Sequence, residues 1–270
     1  VVAESGIETR KDVERLVEAG IEVILAGTVL MKADNVAGKI RELCINITPV
    51  RGREGSQRPS ASNGIKKIPK IKICGITNEK DALAVAKLKP DYLGFIFDLQ
   101  SKRYIEPKLA REIISNVRKL YGNKINFVGV FVNQDIKKIK QIVKICGLDI
   151  VQLHGEETLK YVSELKKLCE VWKTIIFKKS SDENKAKKYR EVADKIMFDA
   201  GKGSGEAIDI SFIENESIDV LAGGLGVENI EKILSKISPS IVDANSKLEL
   251  SPGKKDVNLV KDFIKKVRVI

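Results

Sequence analysis

The sequence predicts an α/β fold: a (β/α)8 TIM barrel over residues 70–270, preceded by two βα units of a truncated second barrel. Three observations predict it. Eight short apolar runs recur after Pro69, separated by segments of helical period or by glycine-rich loops, the alternation that builds a parallel sheet covered by helices. Residues 70–270 number about 200, the lower end for a closed barrel. The first and last runs are apolar on both faces, and in the rival arrangement, an open doubly wound sheet, they would stand exposed as edges.

Taken in order, residues 1–48 read strand, helix, strand, helix, in "VVAE", "TRKDVERLVEAG", "EVILAG" and "NVAGKIRELC". Residues 49–69, "PVRGREGSQRPSASNGIKKIP", are rich in Pro, Gly, Ser and Arg without apolar periodicity, and are expected to be a flexible linker. The eight strands expected beyond it are "IKICG", "YLGFIF", "NFVGVFV", "IVQLH", "VWKTII", "KIMFD", "DVLAGG" and "SIVDAN". Helical period appears in "EKDALAVAKL", "PKLAREIISNVRKL", "IKKIKQIVKIC", "TLKYVSELKKLC", "VENIEKILSKI" and "VNLVKDFIKKV".

Composition narrows the function classes. Of the 270 residues 43% are hydrophobic, enough for a sizeable core, and no run is long and apolar enough for a membrane helix. The start has no basic segment followed by an apolar one, so no signal peptide is expected. Cys44, Cys74, Cys146 and Cys169 form no C-x-x-C pair, and the single histidine does not cluster with them; the expectation is a reducing cytoplasm and no metal. The net charge of +11 suits nucleic acid or an anionic metabolite. Its lysines are scattered over many helices without interleaved aromatics, so a solvated surface is expected and no nucleic-acid partner.

Chemistry in such a barrel sits at the C-terminal ends of the strands. Cys74 ends the first strand, Arg103 lies in the loop after the second, and His154 ends the fourth. Asp199 ends the sixth, Gly223 and Gly224 the seventh, and Asn245 and Ser246 the eighth. Each has a plain alternative: Cys74 as a small core residue, Asp199 as a turn cap, Arg103 as a surface cation, His154 as a packed rim residue. Their shared rim is what favours function. Cys44, Cys146 and Cys169 fall on helical segments and read as core-facing thiols. The loops "AGGLGVEN" and "DANSKLE" stand where these barrels hold phosphate, and "AGKGSGE", with Gly203 and Ser204, is a third glycine-rich loop suited to covering a ligand.

In order across residues 70–270, "KICGIT", "LGFIF" with "SKRYI", "FVGVFVN", "VQLHGEE", "FDAGKGSG", "LAGGLGVEN" and "VDANSKLELSPGKKD" resemble the phosphoribosylanthranilate isomerase family of tryptophan biosynthesis. The resemblance implies a cofactor-free Amadori rearrangement of N-(5-phosphoribosyl)anthranilate to 1-(2-carboxyphenylamino)-1-deoxyribulose 5-phosphate. It implies Cys74 as general base, Asp199 as general acid and Arg103 facing the anthranilate part. Gly203, Ser204, Gly223, Gly224, Asn245, Ser246 and His154 complete the expected substrate site. Asp199 must start protonated and Cys74 must become thiolate, so a raised and a lowered pKa are expected. Lys72 lies on the same face as Cys74, placed either to lower that pKa or to pair with Asp243. Two departures touch the glycine loop: Lys202 precedes Gly203 where the family has a second glycine, and Ile208-Asp209-Ile210 replaces Phe-Asp-Trp.

Residues 1–48 resemble the last two βα units of indole-3-glycerol-phosphate synthase, with Gly6, Gly27 and Thr28 in its phosphate site. The chain therefore looks like the C-terminal part of a two-enzyme fusion, and no synthase activity is expected of it. Two other readings stand beside the isomerase: another sugar-phosphate isomerase on the same barrel, and an inactive basic binding module. The partner expected is a phosphorylated small molecule, with no membrane; oligomeric state is not legible here.

Overall fold

The computed structural model describes residues 68–177, 182–199 and 218–269, and ahead of them positions 2–4, 9, 11–13, 15, 23–25 and 31. The chain divides into two compact units, Val1–Asn63 and Gly64–Ile270. Except for Ile68 and Pro69, the stretch 49–69 lies outside the described residues, as do Cys44 and residues 200–217, with Lys202, Gly203 and Ser204.

In the first unit β1 (Val2–Glu4) pairs in parallel with β2 (Val23–Leu25), Val2 opposite Val23. Thr9 stands at the start of a helical turn, its backbone N–H and its hydroxyl both donating to Asp12 Oδ2 at 2.8 Å.

The second unit is a closed barrel of eight parallel strands. They are β3 (Lys70–Ile73), β4 (Tyr92–Ile96), β5 (Asn126–Phe131), β6 (Ile150–Leu153), β7 (Glu170–Ile176), β8 (Lys195–Asp199), β9 (Val220–Ala222) and β10 (Ile241–Ala244). Each pairs with its neighbour in sequence, and β10 closes on β3 with Ile241 opposite Lys70 and Asp243 opposite Lys72. All eight expected strands are present to within a residue or two at their ends.

Side chains alternate between the two faces of a strand, and here each face has its own core. The outward rows, such as Ile71 and Ile73, Leu93 and Phe95, or Ile196 and Phe198, pack under the helices in the larger apolar cluster. The inward rows fill the barrel with a smaller cluster that includes Tyr92, Val128, Ile150, Trp172, Met197 and Val220. Tyr92 meets Trp172 edge to face at 5.2 Å, plugging the N-terminal end. Above this cluster the inward rows turn polar, with Lys72, Gln152, Thr174, Asp199 and Asp243 all buried.

The covering helices are α1 (Glu79–Lys87), α2 (Pro107–Tyr121), α3 (Ile136–Cys146), α4 (Leu159–Lys166), α5 (Asp182–Arg190), α6 (Ile230–Lys236) and α7 (Val257–Val269). Their starts follow the capping rules. Asn78 accepts from Asp81 N, Asp135 from Lys137 N and Thr158 from Tyr161 N, while Pro107 opens α2. Cys146 is buried, and Cys169 packs half-buried against the core. The stretch read as a phosphate loop continues instead from Ser246–Leu248, a 3-10 turn, into an antiparallel hairpin of β11 (Glu249–Ser251) and β12 (Lys254–Lys255).

Candidate active site

A cavity of about 390 Å³ opens at the C-terminal ends of the barrel strands. Every expected site residue among the described ones lines it: Cys74, Arg103, His154, Asp199, Gly223, Gly224, Asn245 and Ser246. A second cavity of about 400 Å³ lies at the opposite ends, between the first residues of the strands. Its charged lining includes Glu170, which is occupied in bonds to Lys195 and to the Trp172 indole N–H. Barrel chemistry belongs to the other end.

Cys74 stands one position beyond β3 in the inward row of Lys70 and Lys72, and its N–H donates to Ala244 O at 3.0 Å. Room for its thiol comes from Gly94 on β4, where a Cβ would lie 2.7 Å from Cys74 Sγ. The chain then turns sharply at Gly75, φ +75°, a conformation that favours glycine; a Cβ there would meet Asn245 Oδ1 at 2.5 Å and Arg103 Cδ at 2.9 Å.

Lys72 pairs with Asp243, Nζ to Oδ2 at 2.8 Å. Both of its expected placements are met, since the ammonium pairs across the β3–β10 seam and also stands against the Cys74 thiol, whose pKa it pulls down. Burial would push the ammonium down, but Asp243 and Cys74 together hold it above its ordinary value, so it is charged. The expected fall in the Cys74 pKa is not found: burial pushes the thiol up, and the Lys72 ammonium pulls the other way without winning. Burial is the largest effect, and the Asp243 charge behind Lys72 adds to the rise. Asp243 Oδ1 is buried without a hydrogen-bond partner among the described residues, a costly state for a carboxylate.

Asp199 ends β8 and is 8% exposed. His154, just past β6, brings Nε2 to 3.5 Å from Asp199 Oδ2, so the imidazole and the carboxyl share one corner of the cavity. Beneath them Gln152 sets its Nε2 3.3 Å from His154 Nδ1 and 3.4 Å from Thr174 Oγ1. The loop carrying His154 is anchored from outside the barrel. Buried Lys173 donates to Gly155 O at 2.7 Å and to Glu157 Oε2 at 2.9 Å, and Glu157 accepts from Asn133 N at 3.0 Å.

Across the mouth, Arg103 grips Glu249 side-on, Nε to Oε2 at 2.9 Å and Nη2 to Oε2 at 2.7 Å. Buried Lys255 joins Glu249 Oε1 and Asn245 Oδ1, both at 2.8 Å. Gly223 and Gly224 have φ of 97° and 61°, which turns the backbone after β9 toward the cavity, and Asn229 holds the turn by donating to Gly224 O at 2.8 Å.

The comparisons fit this arrangement. Residues 71–266 match the family model of N-(5'-phosphoribosyl)anthranilate isomerase. The N-(5'-phosphoribosyl)anthranilate isomerase of Thermotoga neapolitana is 37% identical over 207 residues, covering 74% of this chain and 98% of that one.

The chain belongs to the phosphoribosylanthranilate isomerase family.

The solved Thermotoga maritima phosphoribosyl anthranilate isomerase superposes with a TM-score of 0.69 at 36% identity, over 75% of this chain and all of that one. Another isomerase structure, with a TM-score of 0.67 at 35% identity, is a complex with reduced 1-(o-carboxyphenylamino)-1-deoxyribulose 5-phosphate. Residues 1–43 match the indole-3-glycerol phosphate synthase family. The tryptophan biosynthesis protein TrpCF of Helicobacter pylori J99 is 34% identical across 99% of this chain, which spans 54% of that protein. Among the described residues no cluster of His, Cys, Asp and Glu could hold a metal, and no helix is long and apolar enough to cross a membrane.

At and around this cavity, reading the sequence missed Gln152, Glu249 and Lys255. Gln152 had a signal, since it shares the inward row with His154 two positions on. Glu249 and Lys255 had none, because a charged pair in a glycine- and proline-containing loop reads as solvated.

Proposed function

We propose that Cys74 and Asp199 are the general base and general acid of this isomerase, and that residues 70–270 are the unit that carries the activity. The chain is a phosphoribosylanthranilate isomerase of tryptophan biosynthesis; the proposal concerns how it works. Asp199 donates its proton to the furanose oxygen, the ring opens, and C1 and the amine nitrogen become a protonated Schiff base. Cys74, as thiolate, removes the proton on C2 to leave an enolamine. Protonation of that enolamine and ketonisation at C2 give 1-(2-carboxyphenylamino)-1-deoxyribulose 5-phosphate. C1 is reduced as C2 is oxidised, so proton transfers alone balance the reaction.

The observation that carries the reading is one cavity taking an acid from β8 and a thiol from β3, on separate sides of the barrel mouth, as two proton transfers at different substrate atoms require. Gly223 and Gly224 hold the phosphate with Asn245, Ser246, Gly203 and Ser204, glycine allowing backbone N–H groups to come close. Arg103 faces the anthranilate part and His154 borders the acid. The free thiols Cys74, Cys146 and Cys169 support work in a reducing cytoplasm.

The test is turnover of freshly made phosphoribosylanthranilate, followed by loss of anthranilate fluorescence. Cys74→Ala lowers kcat by roughly 10²–10⁴, the worth of a positioned base. Asp199→Asn keeps the shape but has no carboxyl proton, so turnover collapses while a reduced product analogue still binds. Equal loss of binding and turnover in Asp199→Asn would make it a binding residue and sink its assignment as the acid.

A further inference from the structure

We infer that Glu249 and Lys255 make the site selective for an aryl carboxylate, by fixing which edge of the Arg103 guanidinium meets the substrate. This rests on the proposed reading of Arg103 as the residue that faces the anthranilate part.

A guanidinium has five N–H donors arranged as two forks, a side-on fork at Nε and Nη2 and an end-on fork at Nη1 and Nη2. Glu249 takes the side-on fork, at 2.9 and 2.7 Å. On the end-on fork, Nη1 and the second N–H of Nη2 make no hydrogen bond among the described residues, and Arg103 lines the cavity. A second carboxylate fits that fork with two parallel hydrogen bonds. The arginine has little freedom to offer anything else, since its Cδ is wedged over Gly75, 2.9 Å from where a Cβ would stand.

Glu249 is equally constrained. Its side chain is 3% exposed and that of Lys255 is fully buried. Oε1 accepts from Lys255 at 2.8 Å, from Arg103 Nε at 3.0 Å and from Gly253 N at 3.3 Å, while Oε2 accepts from Arg103. The two cations hold the Glu249 carboxyl below its ordinary value against the push of burial, so it is ionised. A buried anion at the mouth of a site for an anionic substrate is unfavourable alone. Arg103 and Lys255 flank it, burial pushing the Lys255 ammonium down while Glu249 holds it up, and the uncommitted hydrogen bonds of the cluster sit on the outer edge of the Arg103 guanidinium. A ligand without the carboxylate would leave that edge desolvated and unpaired, which is how a polar site rejects an analogue lacking its partner group. Lys255 also donates to Asn245 Oδ1 at 2.8 Å, tying this corner to the loop after β10.

The experiment measures, on the full chain, binding of two reduced product analogues, one with the ring carboxylate and one without. Wild type should prefer the carboxylated analogue by about a hundredfold or more, and Arg103→Met should abolish the preference. Glu249→Gln, which frees the side-on fork and the guanidinium to rotate, should cut the preference roughly tenfold. It should do so by weakening the carboxylated analogue alone, and its KM should rise more than its kcat falls. Glu249→Gln/Lys255→Met removes both charges together and should show the same reduced preference, so a folding defect of the single variant does not decide the matter. Equal weakening of both analogues, or an unchanged preference in folded Glu249→Gln and in the double variant, overturns the inference and leaves the network as a clasp for the hairpin. A preference that survives Arg103→Met overturns it through the Arg103 reading. Turnover by the wild type reports on the isomerase mechanism separately from all of these.

Discussion

Cys74 owes its place to an absent side chain. Its thiol occupies the space over Gly94, where an alanine Cβ would lie 2.7 Å from Sγ and 3.1 Å from the Cys74 Cα. The second contact is backbone, so a swing of the thiol alone does not relieve it. Gly94→Ala should therefore lower kcat more than tenfold by displacing the base, an effect comparable to the about 10²-fold cost of a 1 Å misplacement. Circular dichroism should show the fold retained, and wild-type turnover in this variant would refute the steric argument. The buried thiol also sets a pH dependence. Its pKa is raised by burial, and the thiolate is the active form of a base, so more base forms as pH rises. The rate at which Cys74 is alkylated by iodoacetamide, taken as the difference from Cys74→Ala, reads its thiolate directly and should keep climbing past about pH 8.5, the value of an ordinary thiol. A plateau already reached below pH 8 would mean that Cys74 ionises more easily than its surroundings suggest.

At the scale of the elements, β3 and β10 close the barrel, and their seam carries a charge pair inside it. Lys72 and Asp243 are register partners, and their side chains meet at 2.8 Å, 0% and 8% exposed. Removing one partner of a buried pair strands the other charge. Lys72→Met should cost roughly 3–5 kcal/mol in urea denaturation. Lys72→Met/Asp243→Leu should be distinctly more stable than the single variant, because nothing charged remains unpaired. A double variant as unstable as Lys72→Met would assign the loss to packing. The hairpin β11–β12 shows the limit of local reading in the same region. Its residues were legible as a loop beside the phosphate site. Their Arg103 contact spans 146 positions of sequence, a pairing that no local periodicity encodes.

At the scale of the molecule, the closed barrel needs no strand from the first unit, and 74% of this chain aligns with 98% of the Thermotoga neapolitana isomerase. Deleting residues 1–65 should leave isomerase turnover within roughly twofold, as expected of a unit with its own core. The undeleted chain should form no indoleglycerol phosphate, because the synthase match covers residues 1–43 alone, a stretch that resembles only the last two βα units of that barrel. Loss of isomerase turnover on deletion, or synthase product from the undeleted chain, would show the first unit to be a working part.

The sequence by itself determined the order and number of the barrel strands, the inward or outward face of most of their residues, and the rim on which Cys74, Asp199 and Arg103 fall. All of these follow from a period of two along a strand and from where each strand ends, which are local properties. Tertiary structure alone decided which inward residues stand at the same height and meet. Closing β10 on β3 in one register sets Asp243 beside Lys72, and burial inside the closed barrel raises the Cys74 pKa by more than the Lys72 ammonium lowers it. The hairpin folding back over the mouth likewise turned two charges that read as solvated into the buried partners of Arg103 and Asn245. Partner choice depends on distances across the barrel, and those exist only once the chain has closed.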